Sequence, residues 1–304
     1  MRGWLAHSGT GFWRGPGGVR AGWRALAYAL LLTALVFAEI LLLAWAKPPW
    51  LRQEPKMTPG FAAVNEALLF IPVLAAAGFM AWLEGRSVFA FGLAARRFAP
   101  KLAGGLLAGV TALSLLMALL VAGGWAAPRW AGLPPPAAAE SGLAWLGVCL
   151  LIGLTEETAF RGYLQHSLAR GVGFWRAAVV SSLVFGFLHI TNAHESVIGI
   201  ANVCGAGLLL CLGLKRTGSL WWPIGFHAGW DFSENFIYGT HDSGQACAGA
   251  LLDTLPHGAA WLSGGMAGPE GSVFGLATEL LVLGGMLLFL RSGKTVFDMD
   301  HCAP

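Results

Sequence analysis

Residues 143–167 read LAWLGVCLLIGLTEETAFRGYLQHS. The stretch is long enough to cross a bilayer, which takes roughly 20 mostly apolar residues. Yet Glu156, Glu157 and Arg161 sit inside it. Two adjacent carboxylates in an apolar helix need support, because charge in hydrocarbon is costly. Glu157 and Arg161 are four apart, so they share a helix face and can pair. Glu156 is turned away by about 100° and lacks that partner. It is therefore the carboxylate suited to act as a general base.

The rest of the chain repeats the apolar theme. Of 304 residues, 56% are hydrophobic and 12% charged. That charged share is about half the usual soluble one. Mean hydropathy is +0.64. These values exclude a disordered chain, a disulfide scaffold and an ordinary soluble enzyme. A net charge of +3, with no block of like charge, gives no argument for nucleic acid. The five cysteines form no C-x-x-C pair and read as small buried side chains.

Eight candidate spans follow: 26–46, 61–83, 102–125, 143–167, 174–191, 196–214, 220–238 and 272–290. With a cytoplasmic N-terminus, fifteen of the 19 Lys and Arg fall inside and four outside. Basic residues favour the cytoplasmic side, so both termini are expected there, most simply at the plasma (inner) membrane. The expected fold is all-α and polytopic, with about eight transmembrane helices. Residues 1–23 read as a flexible cytoplasmic tail, 24–292 as one transmembrane domain and 293–304 as a second tail. Pro134 to Ala139 read as an outer linker. Trp50, Trp82, Trp125, Trp130, Trp175, Trp221 and Trp222 fall near span ends, where interfacial tryptophans gather.

Seven of the 16 acids lie in proposed spans: Glu39, Glu66, Glu156, Glu157, Asp231, Glu234 and Glu279. Glu39, Glu66 and Glu279 read as structural or cavity-lining. Two histidine patterns join them, Phe185…His189 and His227…Asp231. His227 and Asp231 are four apart and face the same way. Gly225 and Gly229 flank His227 at a spacing that admits a neighbouring helix. Counted from the cytoplasmic ends at 1.5 Å per residue, Glu156 lies ~17 Å deep, His189 ~22 Å, His227 ~11 Å and Asp231 ~17 Å. Similar depths on three helices suit one buried site.

Three motifs in order, Glu156-Glu157…Arg161, Phe185…His189 and His227…Asp231, resemble those of the CPBP family. That family joins CAAX prenyl endopeptidases with bacteriocin-processing and immunity proteins, and is also called ABI. The likeness spans about residues 143–238, so the catalytic core is expected in spans four to seven. The resemblance implies an intramembrane endopeptidase, a hydrolase acting on a membrane-associated or lipidated protein or peptide. Glu156 and His189 would activate water, His227 and Asp231 would form the oxyanion site, and Arg161 would orient the glutamates Glu156 and Glu157.

Position 231 departs from the prenyl-protease form, which has Asn. An ionised carboxylate cannot donate to an oxyanion. Asp231 is then protonated, orients His227, or binds a metal. The resemblance favours a glutamate-based mechanism without a cofactor. The alternative is zinc on Glu156, His189, His227 and Asp231, a two-histidine, two-carboxylate set. Two other functions compete. One is a non-catalytic immunity or scaffold protein of the same family. The other is a proton-coupled transporter, against which stands the lack of any repeated half.

Overall fold

A computed structural model describes residues 12–15, 18–49, 56–94 and 97–290. The expected tail 293–304 and Trp50 lie outside them. All eight apolar stretches appear as helices within several residues of their expected bounds. They are α1 (Ala21–Ala46), α2 (Pro59–Leu83), α3 (Phe98–Ala122) and α4 (Pro135–Glu157). A π-helical segment, Thr158–Leu164, joins α4 to α5 (Gln165–Val172). Then follow α6 (Phe174–Leu188), α7 (Val197–Thr217) and α8 (Trp221–Phe232). A second π segment, Ser233–Tyr238, extends α8. The short α9 (Ala260–Ser263) precedes α10 (Val273–Phe289). Among the described residues six helices, not the expected eight, are long and apolar enough to cross a membrane, with Pro135–Val172 counted as one; Val273–Phe289 is shorter. The fold is all-α and polytopic.

Three short two-stranded ribbons decorate the helices. Arg14–Gly15 (β1) pairs with Gly18–Val19 (β2), just before α1 starts at Ala21. Ala126–Trp130 (β3) pairs antiparallel with Leu252–Pro256 (β6), with Pro128 opposite Thr254. His241–Asp242 (β4) pairs with Gln245–Ala246 (β5). The segment after α8 is therefore folded back on the helices and is not an open loop.

Two expectations need correcting. Pro134 to Ala139 do not form a linker: Pro134 is the N-cap and Pro135 begins α4. Proline fits the first helical turn, where its missing N–H costs nothing. Trp222 is not interfacial but buried, its ring stacked on Phe226 at 5.4 Å. Trp82 and Trp175 are exposed near helix ends as expected, and Trp130 is exposed at the end of strand β3.

The outward surface is apolar. Leu30, Phe37, Ile40, Leu41 and Trp45 on α1, and Leu280, Leu288 and Phe289 on α10, are exposed. Contiguous exposed apolar faces of this size suit lipid. Cys149, Cys211 and Cys247 are buried, and no disulfide forms among the described residues.

The closest helix pair is α3 with α8, and glycine makes it possible. A Cβ on Gly105 would lie 2.1 Å from Trp222 O, and one on Gly109 2.1 Å from Phe226 O. Conversely, Gly225 and Gly229 face Leu102 O and Leu106 O at 2.2 Å. The small-residue spacing around His227 thus meets an equal one on α3. Backbone cannot yield as a side chain can. Gly109→Leu should therefore cost more than the about 1–3 kcal/mol typical of overpacking. Gly104→Leu, with nothing within 4 Å of its Cβ, should be neutral. Thermal unfolding of the two variants in detergent checks this; equal midpoints would overturn it.

Candidate active site

The last turn of α4 carries Glu156 and Glu157, and the π segment after it carries Arg161. A π turn widens the helix by one residue, a distortion that recurs at functional sites. It breaks at Gly162, whose ψ of −106° is not helical. Glu157 and Arg161 are both fully buried, with Arg161 Nη1 donating to Glu157 Oε1 at 2.9 Å. A charge-assisted bond is the only cheap way to hold either group there.

Helix α6 brings Phe185 beneath that pair. The Arg161 guanidinium carbon lies 4.4 Å from the Phe185 ring centre, a cation–π contact. The edges of the same ring meet His189 at 4.7 Å and His227 at 6.3 Å. His189 follows the end of α6, and its Nδ1 lies 2.8 Å from Phe185 O. A carbonyl only accepts, so Nδ1 carries the proton and Nε2 of the neutral ring is left as an acceptor.

Helix α8 supplies His227 and Asp231, the latter 6% exposed. His227 sits among three carboxylates. Its Nδ1 donates to Glu157 Oε1 at 3.1 Å. Its Nε2 lies 3.6 Å from Glu156 Oε2 and 3.7 Å from Asp231 Oδ2. Glu157 Oε1 thus receives both Arg161 and His227. Glu156, by contrast, is partly exposed, and its Oε2 has no hydrogen-bond partner among the described residues.

Glu156 and His189 share the wall of a groove of about 580 Å³. Phe37, Ile40, Leu69, Val73 and Phe160 give it an apolar lining. Behind His189 lies a second cavity of about 100 Å³, lined by His227, Asp231, Glu234, Asp242, Glu270 and Asn202 among others. Of the six expected site residues, Glu156, Glu157, Arg161, His227 and Asp231 form one chain of contacts. His189 joins them through the shared groove, its own hydrogen bond going to Phe185 O.

Residues 138–233, running from α4 into the second π segment, match the family described as Type II CAAX prenyl endopeptidase Rce1-like. This likeness supports assignment to the CAAX protease family. No curated protein and no solved structure matches it. The matched third of the chain holds all six expected site residues, and the family it resembles is one of membrane proteases.

The alternative zinc set, Glu156, His189, His227 and Asp231, is not the group whose ligand atoms lie closest together. Zinc needs all its ligand atoms close to one point. Among the described residues, the group of His, Cys, Asp and Glu whose ligand atoms lie within 4.8 Å of one another is Asp231, Glu234 and Asp242. Glu156, His189 and His227 do not belong to it.

Asp242, Glu270 and Asn202 are residues that sequence reasoning missed. Asp242 and Glu270 lie after α8, outside every expected span, so a search for charges in apolar helices passes over them. Asn235 Nδ2 donates to Asp242 Oδ2 at 2.7 Å, and Ser243 N donates to Glu270 Oε1 at 3.2 Å. Burial pushes the Asp242 carboxyl up, despite the Asn235 bond. Burial, with the Asp242 charge beside it, pushes Glu270 up to about 7. Glu66 and Glu279, expected to be structural or cavity-lining, divide: Glu279 lines the smaller cavity, and Glu66 Oε1 is buried without a partner.

Proposed function

We propose that this chain is an intramembrane endopeptidase in which Glu156 is the general base. The observation that carries the reading is the division of labour between the adjacent glutamates. Glu157 is spent on hydrogen bonds from Arg161 and His227, while Glu156 Oε2, on the groove wall, has no hydrogen-bond partner among the described residues and only a 3.6 Å approach to His227.

Water held between Glu156 and His189 Nε2 loses a proton to Glu156. The hydroxide attacks the scissile carbonyl carbon, and the carbonyl oxygen becomes an oxyanion. His227 has given Nδ1–H to Glu157. It donates to that oxyanion from Nε2 when it carries both ring protons, with counter-charge from Glu157 at Nδ1 once Glu156 has taken the water proton. Asp231 orients the ring. Glu156 returns its proton to the leaving amine as the C–N bond breaks, leaving a carboxylic acid and an amine. One such oxyanion donor is worth roughly 100–1,000-fold in rate.

The groove beside Glu156 is apolar and lies between α1, α2, α4 and α6. A substrate with a membrane-inserted or lipidated segment fits it. The distribution of basic residues supports a multi-pass protein of the plasma membrane with both termini cytoplasmic.

Peptide termini in membrane and secreted fractions, compared by mass spectrometry between wild type and Glu156→Gln, test the reading. New termini only with wild type are expected and would name the substrate. Identical termini, with the substrate pool shown to be expressed and the variant stable, would favour a non-catalytic immunity or scaffold protein.

A further inference from the structure

Apart from Asp231, the carboxylates lining the smaller cavity have no part in the proposed hydrolysis. We infer that Asp231, Glu234 and Asp242 form a binding site for a hard divalent cation, calcium in preference to zinc. Their carboxylate oxygens lie within 4.8 Å of one another and line the same cavity of about 100 Å³. Asp231 is on α8, Glu234 one turn on in the π segment, and Asp242 in β4.

Acidic clusters are common, and protons alone can neutralise them. A second residue points to a cation. Asn202, on α7, is 3% exposed and lines the same cavity. Its Nδ2 donates to Glu270 O and to Ser272 O, the latter at 2.9 Å. Its Oδ1 has no partner. The amide cannot be reversed, since that would set its oxygen against two carbonyls. Glu234, 1% exposed and hydrogen-bonded to Glu270, likewise leaves Oε1 without a hydrogen-bond donor among the described residues. No Lys or Arg is among the residues lining the cavity. Five carboxylates line this one small space against two imidazoles, His189 and His227, and such a surplus of buried oxygen acceptors is costly unless an ion serves them.

The donor set selects the ion. Carboxylate and amide oxygens suit calcium, which takes six to eight of them in flexible geometry. Zinc prefers nitrogen and sulfur. Magnesium demands a near-ideal octahedron and sheds water reluctantly. A bound ion would also tie α8 to β4, bracing the segment that folds over the site.

Full-length protein in detergent, stripped with EDTA, is titrated with calcium, magnesium and zinc chlorides. Calcium is expected to raise the unfolding midpoint by at least about 3 °C at saturating concentration. Terbium, a luminescent stand-in for calcium, should be sensitised by Trp230, which lines the cavity, and displaced by calcium. Glu234→Gln with Asp242→Asn should remove both signals, while Glu279→Gln keeps them. Trp230→Phe should remove only the luminescence. No calcium shift and no sensitised terbium in wild type overturns the site, whatever the variants do. Both signals undiminished in a folded double variant also overturns it. Neither readout requires peptidase activity, so the result stands apart from the fate of the hydrolytic proposal.

Discussion

Glu156→Gln is expected to abolish cleavage while leaving the unfolding midpoint where it is. The amide keeps the shape of the side chain but cannot accept and return a proton. Loss of a general base typically costs about 100–10,000-fold. Stability should hold because Glu156 has little to lose. Its Oε2 makes no hydrogen bond among the described residues, its side chain is 25% exposed, and its ion-pair contact is with His227 at 3.6 Å. The change should stay within about 0.5 kcal/mol, as for substitutions away from buried networks. Turnover of a substrate identified from its new termini, measured beside thermal unfolding in detergent, checks both halves. Full activity in the variant would sink the proposed mechanism. Lost activity with a collapsed midpoint would show that Glu156 is structural.

Much of this arrangement was legible in the residues. Apolar runs located the helices because a bilayer imposes one length on every span. The Glu157–Arg161 spacing announced an ion pair because α-helical and π-helical turns both keep residues four apart within reach. Gly225 and Gly229 announced a close neighbour, though not that Gly105 and Gly109 would answer them. The remainder was hidden for physical reasons. A helical period assumes regular turns, so the π segments at Thr158–Leu164 and Ser233–Tyr238 left no mark in it. The β3–β6 ribbon joins residues more than 120 apart, and no local pattern reports such a pairing. Asp242 and Glu270 reach the site only because the chain after Tyr238 folds back. Their charges look ordinary in a polar stretch. The proline triplet misled because the same residue type that breaks a helix interior also starts a helix.

Arg161→Ala is expected to have the largest effect on stability, about 3–5 kcal/mol, as breaking a buried pair does. Both partners are fully buried, and Arg161 Nη1 holds Glu157 Oε1 at 2.9 Å. Truncation strands the Glu157 carboxylate, leaving His227 as its one remaining hydrogen-bond donor. It also removes the cation from the Phe185 ring and empties space beside Ser182 and Gly207. Glu157→Gln should destabilise by the converse route, leaving the guanidinium unneutralised. The double variant Glu157→Gln with Arg161→Met separates charge from shape. With both charges gone and volume largely kept, it should recover most of the stability, since buried pairs are often replaceable by apolar groups. Activity should not recover with it. An amide at position 157 can still accept from His227 Nδ1, but it no longer offers the charge that supports a doubly protonated ring. Thermal unfolding of the three variants, set beside their turnover, reads this out. An unchanged midpoint in Arg161→Ala would refute the pairing. A double variant with wild-type turnover would refute the electrostatic role given to Glu157, leaving Glu156 and His189 to act without it.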